Sequence, residues 1–504
     1  MIHWIKQSWL NLRYPVYKPY AMPEKFDANL LVIGAGSAGL VSAYIAQVVG
    51  AKVTLVEASK MGGDCLNTGC VPSKTLIHCA KLAFDADQSS RIGLKLSGEI
   101  DFGAVIRQVQ ESITTIEPHD SVERYESLGV DVLSGFARMI DPWRAEVTLH
   151  SGETRVISAR SVVLATGAAP VVPEFSGLEG SGYLTTETLW ERFGELERAP
   201  DRFLIVGGGP ISCELAQAMA RLGSQVTLVE SGPRLLNKED AEVSEFALQL
   251  LKDAGVRVLL NTKLSGLSGA LKKADLKGGE LESVEYDELL LAVGRQVRLK
   301  NLGLEALGFD TDQPLEVDEF LRTRYPNLLA AGDVIGPYQF THTASHEAWY
   351  ASVNGLFGAI KKFKADYSVI PWTTFMDPEI ARVGLSELEA AEQQISVEVT
   401  RFDMTQSDRA VSEQSTAGFI KVLTKPGSDQ ILGALIIAPR AGEMLAEFVL
   451  AMKHGLGLKK IMGTIHTYPT WSEAAKSTAG NWQQKNKPDW ALKVSKKYHD
   501  WMRG

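Results

Sequence analysis

Two cysteines in Cys-x₄-Cys spacing, Cys65 and Cys70, lie inside the stretch Gly62-Gly63-Asp64-Cys65-Leu66-Asn67-Thr68-Gly69-Cys70-Val71-Pro72-Ser73-Lys74. Thiols this close can share a metal ion or interconvert between dithiol and disulfide. Four cysteines in 504 residues cannot form a disulfide scaffold, which points to a reducing compartment. In that setting the pair is redox-active or metal-binding, and no second pair stands at zinc spacing. A helix starting near Cys65 is expected to lower a thiol pKa through its positive end, with Lys74 adding charge. The other two, Cys79 and Cys213, fall in helical, small-residue stretches and are expected to be buried in the core.

The elements around the pair repeat. Asn29–Ile33, Ser161–Ala165 and Phe203–Val206 are short, apolar and β-branched, as buried strands are. The first runs into Gly34-x-Gly36-x-x-Gly39, a helix ending at Gly50, and a strand Lys52–Glu57. The third runs into Gly207-Gly208-Gly209-Pro210-Ile211-Ser212, a helix ending at Gly223, and a strand Gln225–Glu230. Strand, glycine turn, helix, strand and acid is the order of a dinucleotide-binding unit. Gly34 permits the tight turn, Gly36 lets backbone approach a pyrophosphate, and Gly39 packs helix on strand. The helix N-terminus offers unpaired N–H groups to phosphate, and Glu57 suits the ribose hydroxyls. In the second copy Gly207 and Gly209 take those places, and Ser212 replaces the third glycine and loosens the packing slightly. Glu230 there suits a free 2′-hydroxyl and repels a 2′-phosphate, which favours NADH over NADPH. Arg234 could partly offset that repulsion or be a solvated surface charge.

Length suggests about three domains. Turn-rich Pro170–Pro173 separates the two units, the second closes near Leu289–Gly294, and a third, α+β pattern begins near Pro371. The expected organisation is a basic, aromatic extension over 1–28, a discontinuous first domain over 29–165 and 295–368, and a second over 166–294. A third domain over 369–480 and a basic tail over 481–504 follow. Net charge is −9, but 1–28 carries four Lys/Arg against two acids and 481–504 six against two, so the body between them stands at −15. An acidic body argues against nucleic acid. No apolar run of about 18 residues occurs, and Met1–Trp9 lacks the apolar core of a secretory leader. A cytoplasmic location is expected.

Two dinucleotide units together with Gly-Gly-Asp-Cys-x₄-Cys-Val-Pro-Ser-Lys closely resemble the class I flavoprotein disulfide reductases, over about residues 29–480. The resemblance implies an α/β fold with two Rossmann-like domains, FAD in the first and NAD(P)H in the second, and a C-terminal α+β domain that makes a homodimer. It implies that Cys70 faces the flavin as the charge-transfer thiolate while Cys65 exchanges with substrate. Lys74 and Glu214 match the ion pair beside the flavin, Ala165-Thr166-Gly167 the strand end that joins the first two domains, and Gly332-Asp333 the ribityl site. Gly63 and Gly294 are further backbone positions expected against the cofactors. Pro210 stands where several members place a gating tyrosine.

The C-terminal pattern departs from the family. Members that reduce organic disulfides carry a His-Pro with Glu five residues after the His, and that His serves the partner subunit's site. Here the sequence reads His466-Thr467-Tyr468-Pro469-Thr470-Trp471-Ser472-Glu473, so Tyr468 stands five before Glu473. His466 matches an extra, non-catalytic His of dihydrolipoamide dehydrogenases. A His near pKa 6.5 exchanges protons at neutral pH, whereas a Tyr near 10 does not. Mercuric reductases also place a tyrosine here, although their C-terminal Cys-Cys pair is missing. Tyr468 is either a contact to a thiolate-held metal or an interface packing residue.

The expected activity is therefore NAD(P)H oxidation coupled through FAD and the Cys65–Cys70 disulfide to a thiophilic metal ion or a small disulfide. On this reading no structural metal is present, and the two cysteines ligate a substrate metal only in passing. The alternatives are a dihydrolipoamide dehydrogenase using His466 as a displaced base, and a non-catalytic flavin sensor or scaffold. Trp4, Trp9, Tyr14, Tyr17, Tyr20, Trp482, Trp490 and Trp501 interleave with Lys6, Arg13, Lys18, Lys493, Lys496, Lys497 and Arg503. The termini are expected to pack on the dimer, with a peripheral membrane contact as the alternative, because no long amphipathic helix is evident.

Overall fold

The computed structural model describes residues 19–96 and 98–504. The aromatic and basic residues expected at positions 4–18 lie outside the described residues. The chain divides into two compact units. One comprises the described residues to Gly207 with Ala218–Val229 and Thr262–Ala365, and the other comprises Gly208–Gln217, Glu230–Asn261 and Asp366–Gly504.

In the first unit, β1 (Ala28–Ile33) leads through a glycine turn to α1 (Ser37–Val48) and β2 (Val53–Glu57). β1 pairs in parallel with β2 on one side and with β5 (Thr154–Leu164) on the other. β2 pairs with β3 (Asp131–Asp141), which turns back through β4 (Arg144–Leu149) to β5 as an antiparallel meander. Alternation along β1 sends Leu31 and Ile33 into one core and Leu30 and Val32 into another, so the sheet is covered on both faces. On the second face α1 meets α5 (Thr341–Phe357) through alanines, Ala38, Ala43 and Ala46 against Ala344, Ala348 and Ala351. Side chains this small bring the backbones close enough for Ser352 Oγ to donate to the Ser42 carbonyl at 3.2 Å.

The second glycine unit repeats the first. β6 (Arg202–Val206) pairs in parallel with β7 (Gln225–Val229) and β8 (Glu288–Leu291), and α4 (Pro210–Arg221) follows the glycines. An antiparallel ribbon, Ala168–Pro170 against Arg295–Val297, ties together the two chain crossings between the glycine units. β9 (Leu328–Ala330) returns beside β5.

The other unit carries a five-stranded antiparallel sheet built from β10 (Pro371–Thr374), β11 (Glu379–Gly384), β12 (Glu398–Asp403), β13 (Phe419–Thr424) and β14 (Ile431–Ala438), in the order β10-β11-β14-β13-β12. α6 (Ala441–Lys453) and α7 (Glu473–Lys485) contribute Phe448, Met444, Ala475 and Trp482 to its core. The sequence shows no long amphipathic helix in the termini, but the stretch after Asn481 contains one. It finishes α7 and then forms α8 (Asp489–Arg503), an amphipathic helix. Charged residues on its polar face keep its mean hydropathy low and hide the apolar stripe from a compositional reading. Among the described residues no helix is long and apolar enough to cross a membrane.

Candidate active site around Cys65 and Cys70

The cysteine loop is held by its own backbone. Gly62, at φ +85°, turns the chain into α2 (Gly63–Asn67), and the Asp64 carbonyl accepts the N–H groups of Thr68 at 2.9 Å and Gly69 at 2.6 Å. A Cβ on Gly69 would fall 2.9 Å from that carbonyl, so glycine lets the two turns close on each other. Asn67 Nδ2 donates to the Met61 and Gly63 carbonyls at 2.9 Å, and the Trp190 indole N–H donates to the Thr68 carbonyl at 2.8 Å. Cys70 then starts α3 (Cys70–Asp87), with Lys74 in its second turn.

Cys65 and Cys70 are not joined in a disulfide; Cys70 is exposed and Cys65 half-buried. Their environments differ. Cys70 is the first residue of a long helix, and Thr341, the first residue of α5, places its hydroxyl 3.5 Å from the Cys70 sulfur. Two helix N-termini therefore face one sulfur. The Cys65 thiol is pushed well above its ordinary range, first by its hydrogen bond to Cys70, then by burial and by Cys70's charge, with the Thr341 hydroxyl pulling the other way and the Asp120 carboxylate adding a little. The helix at Cys65 is only five residues long, so the lowered thiol expected there is not found. Cys213 is fully buried, whereas Cys79 is only half-buried and corrects the expectation of a core position.

Around the loop stands an ion-pair network that the sequence gives no local sign of. Asp64, beside Cys65, pairs with Arg295, which also reaches the Ala168 carbonyl at 2.8 Å and Asp333 at 3.5 Å. Arg298 pairs with Glu187 and lies 3.9 Å from Asp64. Burial raises the Asp333 carboxyl above its usual range, against the pull of Arg295. The Thr166 hydroxyl donates to the Arg298 carbonyl at 2.7 Å, and Gly167 adopts φ +71°. The Gly332 N–H donates to buried Glu347 at 2.7 Å, a residue the sequence reading missed.

The two glycine turns match in detail. Gly34 and Gly207 hold φ +101° and +115°, and each donates its N–H at 2.8 Å to the second strand, to Val56 and Val229. A Cβ on either would collide with the carbonyl of Ala165 or Ala292, which precede Thr166-Gly167 and Val293-Gly294. Gly294 sits at φ +139°. On Gly39 a Cβ would strike the Gly34 carbonyl, and on Gly63 it would stand 2.6 Å from Gly36 Cα. Bare backbone therefore lines the loop where a pyrophosphate would lie, and the residues present fit FAD. Glu57 accepts from Ala35 N–H at 2.6 Å and Ser59 N–H at 2.7 Å, which fixes its carboxylate at the strand end. In the second unit of the chain, Glu230 accepts from Gly232 N–H and lies against Gly208, while Gly209 is open around its Cα and Ser212 is fully buried. Arg234 donates to the Asn237 carbonyl at 2.8 Å. Buried Glu214 accepts the Phe375 N–H at 2.8 Å.

The C-terminal residues occupy defined positions. His466 Nε2 lies 3.0 Å from both Glu447 oxygens, and its Nδ1 lies 3.1 Å from the Thr464 carbonyl. Both ring nitrogens thus face acceptors within the same unit. Tyr468 is 65% exposed, and its hydroxyl donates to Asp408 at 2.8 Å. That bond, then Asp408's charge, raises the phenol above its ordinary range, with Glu473 contributing from the start of α7. Among the described residues one carboxylate group could hold a cation, Asp240, Glu242 and Glu387. The buried Lys421 ammonium already takes that place, 2.6 Å from Asp240 and 2.7 Å from Glu387.

Comparison with known proteins agrees with this geometry. Residues 28–348 match the pyridine nucleotide-disulphide oxidoreductase family, and residues 370–479 match its dimerisation domain. The chain is 33% identical to a mercuric reductase of Lysinibacillus sphaericus, over 91% of this chain and 83% of that one. It is also 33% identical to a dihydrolipoyl dehydrogenase of Chlamydia muridarum, over 90% of this chain and 97% of that one. Among solved structures it resembles the Cu(II) complex of an HOCl-induced flavoprotein disulfide reductase from Escherichia coli. There the TM-score is 0.79 at 27% identity, over 90% of this chain and 99% of the other.

Proposed function

The chain belongs to the pyridine nucleotide-disulphide oxidoreductases, FAD-dependent enzymes working with NAD(P)H, and from that membership we propose that it spends NADH to reduce a thiophilic metal ion at Cys65 and Cys70. Bound FAD supplies the two-electron relay between nicotinamide and the cysteine pair. The residues of this chain do the rest. Gly34, Gly36, Gly39, Gly63, Glu57 and Asp333 would hold the flavin nucleotide, and Gly207, Gly209 and Glu230 the nicotinamide nucleotide, with Glu230 disfavouring a 2′-phosphate. Lys74 is assigned to the flavin's edge on the family resemblance.

The reaction balances with one proton taken up and two released, and no leaving group has to be protonated. NADH and a proton convert the Cys65–Cys70 disulfide to the dithiol. The dithiol then passes two electrons to one Hg(II), or one each to two Cu(II), re-forming the disulfide and releasing two protons. Reduction of an organic disulfide would instead require a leaving thiolate to be protonated by a nearby acid. The observation that carries this reading is that His466 has both ring nitrogens engaged and Tyr468 is held neutral by Asp408. The Cu(II) complex of the Escherichia coli relative supports a metal acceptor.

Anaerobic titration tests the route of the electrons. NADH should reduce the flavin and expose two reactive thiols in the wild type. In Cys65→Ser or Cys70→Ser the flavin should still be reduced, with metal-dependent NADH oxidation lost. A variant lacking one cysteine that keeps full metal-dependent turnover would remove the pair from the pathway.

A further inference from the structure

α8 lies beyond Ala479, where the match to the dimerisation domain ends, and none of its fifteen residues is buried. At 100° per residue, Trp490, Val494, Tyr498 and Trp501 fall within an arc of about 80°. They are 70, 58, 54 and 74% exposed. Lys493 and Lys497 border this stripe, and Lys496 and Arg503 stand behind them. Leu492 and Met502 are exposed outside the stripe, but its four side chains form the continuous apolar face, and a face of this kind marks a docking surface.

Charge selects the occupant. The helix carries four basic residues against Asp489 and Asp500, while the body of the chain is strongly acidic. An anionic surface therefore repels the body and attracts this end of the chain. A second copy of α8 brings the same four basic residues, so the two helices carry charge of the same sign. Residues 1–18, with Lys6, Arg13 and Lys18 and no acid, carry the same sign as the helix. Trp and Tyr rings combine an apolar body with a polar edge and suit the headgroup boundary, with lysines reaching the phosphates. We propose that α8 lays its Trp490–Trp501 stripe into the surface of an anionic phospholipid bilayer and holds the enzyme there as a peripheral protein.

The test is co-sedimentation of the full-length, FAD-loaded enzyme with vesicles. Mixed phosphatidylglycerol–phosphatidylcholine vesicles should sediment it, and phosphatidylcholine alone should bind it about tenfold less. Trp490→Ser with Trp501→Ser should weaken binding to mixed vesicles by about tenfold or more, as should Lys493→Glu with Lys497→Glu. NADH-driven flavin reduction should stay unchanged in each. The proposal fails if the wild type does not sediment with mixed vesicles, or if both double variants bind as well as it does. It also fails if the Trp variant turns the dimer into a monomer on gel filtration, because a second copy then covers the stripe.

Discussion

Two helix N-termini meet at Cys70, whereas the hydrogen bond to Cys70 and burial raise the Cys65 thiol against the pull of the Thr341 hydroxyl. The reduced enzyme should accordingly show a long-wavelength thiolate-to-flavin band that Cys70→Ser abolishes and Cys65→Ser makes permanent without substrate. Thr341→Val removes a hydroxyl from the same sulfur, and a hydrogen bond to a charged group contributes about 1.5–3 kcal/mol. The pH at which the band appears should therefore rise by about one unit or more, as read by anaerobic spectral titration. Glu230 makes a second prediction. Its carboxylate lies at the glycine turn, so Glu230→Arg should shift the kcat/KM ratio from NADH towards NADPH, and equal ratios in the wild type would remove the basis for this. A third concerns Tyr468, whose bond to Asp408 keeps the phenol neutral. Tyr468→His should raise lipoamide or glutathione-disulfide turnover, by roughly 10²–10⁴-fold if the imidazole is well placed, while Tyr468→Phe should weaken metal reduction and spare the NADH half-reaction.

The β11–α6 contact should make the stability of the dimerisation domain depend on pH. Glu379, at the start of β11, accepts the Gly442 N–H at 2.9 Å, yet burial, Glu443, Asp377 and Glu214 push its carboxyl up to about 7. An acid whose folded pKa exceeds its unfolded one binds more protons when folded, so stability falls as pH rises. The loss runs from the unfolded pKa near 4.5 to about 7 and amounts to about 3 kcal/mol. Glu379→Gln keeps the acceptor and removes the charge, so its Tm should exceed wild type at pH 8 and match it at pH 5. A parallel pH profile for both would contradict this. The sequence showed this level unevenly. The strand–glycine–helix–strand repeat was legible because glycines and apolar strands are local, and the positive φ of Gly34 and Gly207 gives that pattern its physical basis. Thr341, Arg295 and Asp408 were not, since they meet Cys70, Asp64 and Tyr468 only through long-range folding. α8 escaped notice because lysines between its aromatics lower the average on which a hydropathy reading depends.

Taken as one molecule, the chain joins two matching glycine turns, the Cys65–Cys70 pair and a dimerisation domain, and its relatives of equal identity include a mercuric reductase and a dihydrolipoyl dehydrogenase. What separates those chemistries is the proton that a leaving thiol needs and a metal ion does not. The choice of acceptor can be read in one assay: steady-state NADH oxidation by the anaerobic dimer, offered Hg(II), Cu(II), lipoamide and glutathione disulfide in parallel. A metal ion should sustain turnover, the two disulfides should be slow, and Cys65→Ser should abolish the metal-dependent rate. Rapid lipoamide turnover with no response to either metal would contradict the proposal and return the acid–base role to His466.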